Sequence, residues 1–202
     1  MGAIKSLKSW WRAIVAKDEL DTWDGQPTPE EARKAAAELK KMRASLDTWA
    51  LATFSFLGSE VADQISSRLR KAARNEDGEM VDFVSALRVG LVSDFFWGKR
   101  KAFTFLFEAR YTENAEIVFC KVCSSYGIKD KFLYDEAING ADPLKVLPLF
   151  RGWLLERSFD LIIFDTGGDE YCGFLVPSTS CQDALVRLRN MGIRSTNIPS
   201  EA

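Results

Sequence analysis

One stretch near the C-terminus limits the fold more than any other: Phe159-Asp160-Leu161-Ile162-Ile163-Phe164-Asp165-Thr166-Gly167-Gly168-Asp169-Glu170-Tyr171-Cys172-Gly173-Phe174-Leu175-Val176-Pro177. Two apolar, partly β-branched runs flank a turn with two glycines and two aspartates, which predicts a β-hairpin. Leu161 to Phe164 are apolar without interruption, so this strand is expected to be covered on both faces. Helical patterns stand on either side, and the unit reads as helix–strand–turn–strand–helix.

The rest of the chain is built around that nucleus. Thr28-Pro29-Glu30-Glu31 predicts a helix start, with Thr at the N-cap, Pro at N1 and Glu at N3. The helix is expected to run to about Leu46; Asp47 to Leu57 is apolar and aromatic and reads as helix or strand. Further helices are expected from Ser59 to about Arg74 and from Glu79 to about Phe95. Ala102 to Phe107 alternates phenylalanines and predicts a strand in a half-buried sheet. A helix capped at Thr112 or Asn114 ends at Gly127. Asp142-Pro143 opens another, and a last one starts at Ser178, Thr179 or Ser180 and stops at Gly192. The order predicts an α+β domain, helix-rich in its N-terminal part, with a small mixed or antiparallel sheet of about three to four strands. The expected divisions are an amphipathic helix and linker at 1–27, one α+β domain at 28–193 and a disordered tail at 194–202. Apolar residues make up 47% of the 202, which supports a sizeable core.

Several chemistries are excluded or disfavoured. The chain contains no histidine, so Ser-His-Asp and Cys-His catalysis and imidazole-ligated metals are out. A net charge of −2 gives no field favouring nucleic acid. No run reaches the roughly 18 apolar residues of a membrane span and no export signal is read, so a cytoplasmic location is expected. The four cysteines, Cys120, Cys123, Cys172 and Cys181, are expected to be reduced. Cys120 and Cys123 form a C-x-x-C pair inside an expected helix rather than on a glycine-rich turn, so they read as small buried apolar residues, not zinc ligands. No metal, no cofactor and no catalytic residue is expected.

The N-terminus places Ile4, Leu7, Trp11 and Ile14 on one stripe of a basic amphipathic helix. Such a helix docks on its own domain or a partner, or lies on a membrane surface.

Three readings compete for the hairpin turn. Ile162-Ile163-Phe164-Asp165-Thr166-Gly167 resembles the apolar–Asp-Thr-Gly signature of aspartic proteases, which implies a catalytic Asp165. Gly168 follows where that family has Ser or Ala, and no second copy exists. A carboxylate-based, metal-assisted hydrolase would use Asp165 and Asp169. The third reading is recognition: Asp165, Asp169, Glu170 and Tyr171 form an acidic rim with an aromatic anchor for another protein.

The same turn looks like the Gly/Asp-rich hairpin of the Smi1/Knr4 superfamily, which includes bacterial immunity proteins. Asp82-Phe83-Val84-Ser85-Ala86-Leu87, the aromatic strand at Ala102 to Phe107 and Asp165 to Tyr171 together resemble a bacterial domain family without an assigned activity. Glu108-Ala109-Arg110 stands where that family has an Asp-Trp pair. The absence of histidine and of a complete catalytic constellation, the acidic hairpin and the Smi1/Knr4-like turn together lead to the expectation of a non-enzymatic protein-binding domain of the immunity or antitoxin kind, with a toxin as partner.

Overall fold

The computed structural model describes residues 27–75, 78–92, 101–108, 115–135 and 142–197. The chain divides into two compact units, Met1–Lys40 and Lys41–Ala202. Ile4, Leu7, Trp11 and Ile14 lie outside the described residues, as do Thr112, Asn114 and the last five residues of the tail. Among the described residues, no helix is long and apolar enough to cross a membrane.

Helix α1 (Pro29–Phe54), whose residues from Lys41 onward belong to the second unit, begins as its sequence predicts. The Glu31 amide donates to Thr28 Oγ1 at 3.2 Å, and the Thr28 amide donates to Glu31 Oε2 at 2.7 Å. This is a complete capping box. The Thr28 amide, and then its hydroxyl, hold the Glu31 carboxyl below its ordinary range. The ambiguous run from Asp47 continues this same helix to Phe54, and a 3₁₀ turn follows at Ser55–Leu57.

The second unit carries helices α2 (Ser59–Ala72), α3 (Phe83–Val92), α4 (Ala115–Ser125), α5 (Pro143–Leu155) and α6 (Cys181–Asn190). Its strands are β1 (Thr104–Glu108), β2 (Phe159–Asp165), β3 (Glu170–Pro177) and β4 (Ser195–Thr196). They form one four-stranded sheet in the order β1-β3-β2-β4, and every pairing is antiparallel. The α+β architecture and the hairpin are as the sequence predicts. Two differences stand out. Ser195 and Thr196, expected in the tail, extend the sheet by a fourth strand. Phe103, Phe105, Ala102 and Thr104 are all buried, so the strand expected to be half-buried is covered on both faces at this end.

The same holds for β2, where Leu161, Ile162, Ile163 and Phe164 are all buried. On one face, Phe105 meets Phe119 of α4 edge-on at 5.4 Å, and Phe119 stacks on Phe150 of α5 at 3.7 Å. On the other, Phe174 meets Trp49 and Phe54 of α1 at 5.5 and 5.6 Å. Burying each of these rings contributes roughly 1.5–3 kcal/mol, so the sheet is held from both sides by aromatic packing. Helices α2 and α3 approach closely because Gly90 has no side chain: a Cβ there would lie 2.8 Å from Leu69 Cδ2 and 3.0 Å from Leu69 Cα. The arginines near the end of α2 take up partners. Arg43 donates to the Arg70 carbonyl, Arg70 pairs with Asp47 at 3.3 Å, and Arg68 donates to the Lys101 carbonyl.

Tyr126 joins the sheet to the end of α4. Its hydroxyl donates to the Phe103 carbonyl at 2.7 Å and accepts from the Leu175 amide at 3.3 Å. Burial pushes its pKa well above the ordinary phenol value. Removing that hydroxyl leaves two buried backbone groups unbonded. Tyr126→Phe is therefore expected to lower the unfolding free energy by about 1–3 kcal/mol, read by urea denaturation with an unchanged slope. No loss would show that the two strands close on each other directly.

Candidate functional site

The hairpin turn is fixed by its own side chains. Asp165 Oδ1 accepts the Gly167 amide at 2.8 Å, and Thr166 Oγ1 accepts the Gly168 amide at 3.3 Å. Gly167 takes φ = +74°, a conformation open to glycine at no steric cost. Asp-Thr-Gly-Gly is thus a turn in which side chains bond the backbone two residues on. One oxygen of Asp165 is engaged in holding the loop.

An open cleft of about 340 Å³ lies beside this turn. Strand β2 supplies Ile163, Phe164 and Asp165, β3 supplies Glu170 and Tyr171, and the last strand supplies Ser195 and Thr196 with Arg194 before them. Three of the four residues expected to form a recognition rim therefore meet at one site. Asp169 is exposed in the turn and does not line the cleft. Asp165 and Tyr171 are direct cross-strand partners. Glu170 is held from α3: its Oε1 receives Arg88 Nη2 at 2.5 Å. Helix α3 itself starts at Asp82, whose carboxylate accepts the Ser85 amide at 2.7 Å and the Ser85 hydroxyl at 3.1 Å. Arg88, just after the Asp82-to-Leu87 segment, thus ties helix α3 to the hairpin.

Arg194, like Ser195 and Thr196, is a cleft residue that sequence reasoning left out. Its carbonyl accepts the Asp165 amide at 2.9 Å, and its side chain is exposed with no carboxylate partner among the described residues. The only sequence signal was Ile193 and Thr196, both β-branched, just after the Gly192 helix stop. Two such residues do not make a strand pattern.

None of the four cysteines lines the cleft. Cys120 and Cys123 are on α4, Cys172 is in β3 and Cys181 opens α6, and all four thiols are free. Burial, first among several causes, pushes Cys123, Cys172 and Cys181 up to about 12, so they are protonated thiols near neutrality and poor nucleophiles. Among the described residues, no three Cys, Asp or Glu side chains form a group that could hold a metal ion. The hydrolase reading needs a pair of carboxylates set against each other or a metal. The hairpin offers Asp165 bonded to its turn and Asp169 outside the cleft.

Comparison with known proteins yields no relative: no protein-family profile, no curated protein and no solved structure matches the chain.

Proposed function

We propose that this chain is a non-enzymatic protein-binding domain that meets its partner through the hairpin end, and that the partner is a bacterial toxin which binding neutralises. The observation that carries the recognition reading is the cleft itself. Asp165 lies directly across from Tyr171, and the strand ends that carry them are tied down by the turn bond of Asp165 and by the Glu170–Arg88 ion pair. An aromatic side chain beside a carboxylate on a paired strand suits an interface anchor, because little side-chain entropy remains to be lost on binding. Asp169, exposed at the tip, adds to the charge that would steer a basic surface toward it. The toxin assignment rests on the likeness of the turn to the Smi1/Knr4 hairpin.

Co-expression with the product of the adjacent gene, followed by size-exclusion chromatography and calorimetric titration, tests this reading. A retained complex is expected, weakened at least 30-fold by Tyr171→Ala, which corresponds to a hot spot of about 2 kcal/mol or more. Asp169→Asn is expected to slow association at low salt with less effect at high salt. If the neighbouring product is not toxic to cells and no complex is retained, the reading is wrong.

A further inference from the structure

We infer that the partner supplies an extended segment which adds to the sheet along β4 as a fifth strand, Ser195 being the residue that receives it. This rests on the recognition reading above and states how the partner is held.

The argument starts from register. Ile163 lies opposite Thr196, Phe164 opposite Ser195, and the Asp165 amide bonds the Arg194 carbonyl. In an antiparallel pair, residues that exchange hydrogen bonds alternate with residues that do not. Residues 165 and 194 form a bonded pair, so 163 and 196 form the next, and 164 with 195 is the unbonded pair between them. The N–H and C=O of Ser195 therefore point away from β2, off the edge of the sheet. Strand β4 ends the order β1-β3-β2-β4, and no strand lies beyond it among the described residues. The Ser195 hydroxyl is also buried without a hydrogen-bond partner among the described residues. Three polar groups of one residue thus lack partners among the described residues, on the strand that borders the cleft. Buried polar groups are normally satisfied, and an unpaired strand edge is a template for another strand.

Charge gives the occupant its chemistry. Arg194 and Thr196 flank Ser195 on the opposite face of the strand, beside Asp165. Arg194 has no carboxylate partner among the described residues, and Arg189 at the end of α6 is exposed as well. A strand laid against Ser195 would place its own side chains opposite Arg194, where a carboxylate is favoured. The occupant is therefore an extended, proline-free polypeptide segment with an Asp or Glu facing Arg194, while a neighbouring residue of the same segment reaches the Tyr171 cleft.

The test uses heptapeptides selected by phage display on the full chain and then synthesised. Enriched peptides are expected to carry an acidic residue and to lose at least tenfold in affinity on Ser195→Pro. That change removes the outward N–H but no hydrogen bond to β2. N-methylation along a peptide gives an answer that does not depend on how the variant folds. Binding should be abolished at alternate positions only, because every second amide faces β4. Peptides that tolerate N-methylation everywhere, or failure to enrich any acidic extended peptide, overturn the inference. The two readings are separable. A neighbouring-gene partner that Tyr171→Ala weakens and Ser195→Pro leaves bound removes strand addition and leaves hairpin recognition standing.

Discussion

Replacing Arg151 by methionine is expected to lower the unfolding free energy by about 3–5 kcal/mol at neutral pH, because it strands a buried carboxylate. Asp160 lies in β2 with only 5% of its surface exposed. Arg151 of α5 grips it with both arms of its guanidinium, Nε to Oδ1 at 2.6 Å and Nη2 to Oδ2 at 3.0 Å. The Leu161 amide donates to Oδ1 at 2.7 Å. Burial alone would raise this carboxyl. The Arg151 hydrogen bonds, the Leu161 amide and the Cys181 thiol outweigh burial and hold it below its ordinary value. The same pairing raises Arg151, while burial and the neighbouring Asp160 charge push the Cys181 thiol up to about 12. The sign of the pH dependence follows. A carboxyl whose folded pKa is depressed contributes stability above its unfolded pKa of about 3.9 and loses it as pH falls through the folded value. In the methionine variant burial is no longer opposed by the guanidinium, so Asp160 titrates higher when folded and the variant gains relative stability on acidification. The gap between the two proteins should therefore narrow between pH 7 and pH 3.5 in guanidinium-free urea melts. A gap of equal size at both values would assign the loss to packing of the arginine stem instead. Restoring stability with Arg151→Met combined with Asp160→Leu would show that the pair is replaceable by apolar volume, as buried ion pairs often are.

The second large effect is expected at Gly173. It lies in the middle of β3, opposite Phe105 on one side and Ile163 on the other. A Cβ built there falls 2.6 Å from the Ile162 carbonyl oxygen, 2.7 Å from Phe105 Cζ and 2.8 Å from Ile163 Cδ1. One of the three is backbone in a paired strand and cannot swing aside. Phe105 is itself wedged against Phe119. Gly173→Ala should thus cost about 3 kcal/mol, at the upper end for overpacking a core, and lower the thermal midpoint by several degrees. Phe105→Leu introduced with it should recover part of the loss by vacating the space above residue 173. An alanine variant as stable as the parent would mean that the strand can bow without breaking its ladder.

The parts of this fold that were legible in the sequence are those decided within a few residues. The Thr28–Glu31 cap is local hydrogen-bond chemistry, and the hairpin is announced by Asp165-Thr166-Gly167-Gly168 between apolar runs. What the sequence concealed is decided by distant partners. Asp47 to Phe54 has aromatic residues and no clean period, and becomes helix because Trp49 and Phe54 both pack on Phe174. Ser195 and Thr196 are strand only because β2 offers them an edge. Thr104 looks like the polar half of an alternating strand, yet it is buried with its hydroxyl donated to the Gly173 carbonyl. For the site, the rim residues Asp165, Glu170 and Tyr171 were visible as a cluster in sequence. Arg194, which completes the cleft from the next strand, was not.

The hydroxyl of Tyr126 has a further consequence. In the β1–β3 register, Phe103 and Leu175 would be the next pair after Thr104 and Phe174, and the parity of the ladder makes them a pair that bonds directly. The phenol is inserted between them, accepting from one and donating to the other. It works as a gauge fixed to α4. A one-residue slip of β1 would present the hydroxyl with the wrong backbone groups and turn Phe105 away from Phe119 at the same time, so an error in strand alignment is penalised twice. Correct assembly of the sheet is thereby proofread by a side chain that belongs to none of its strands.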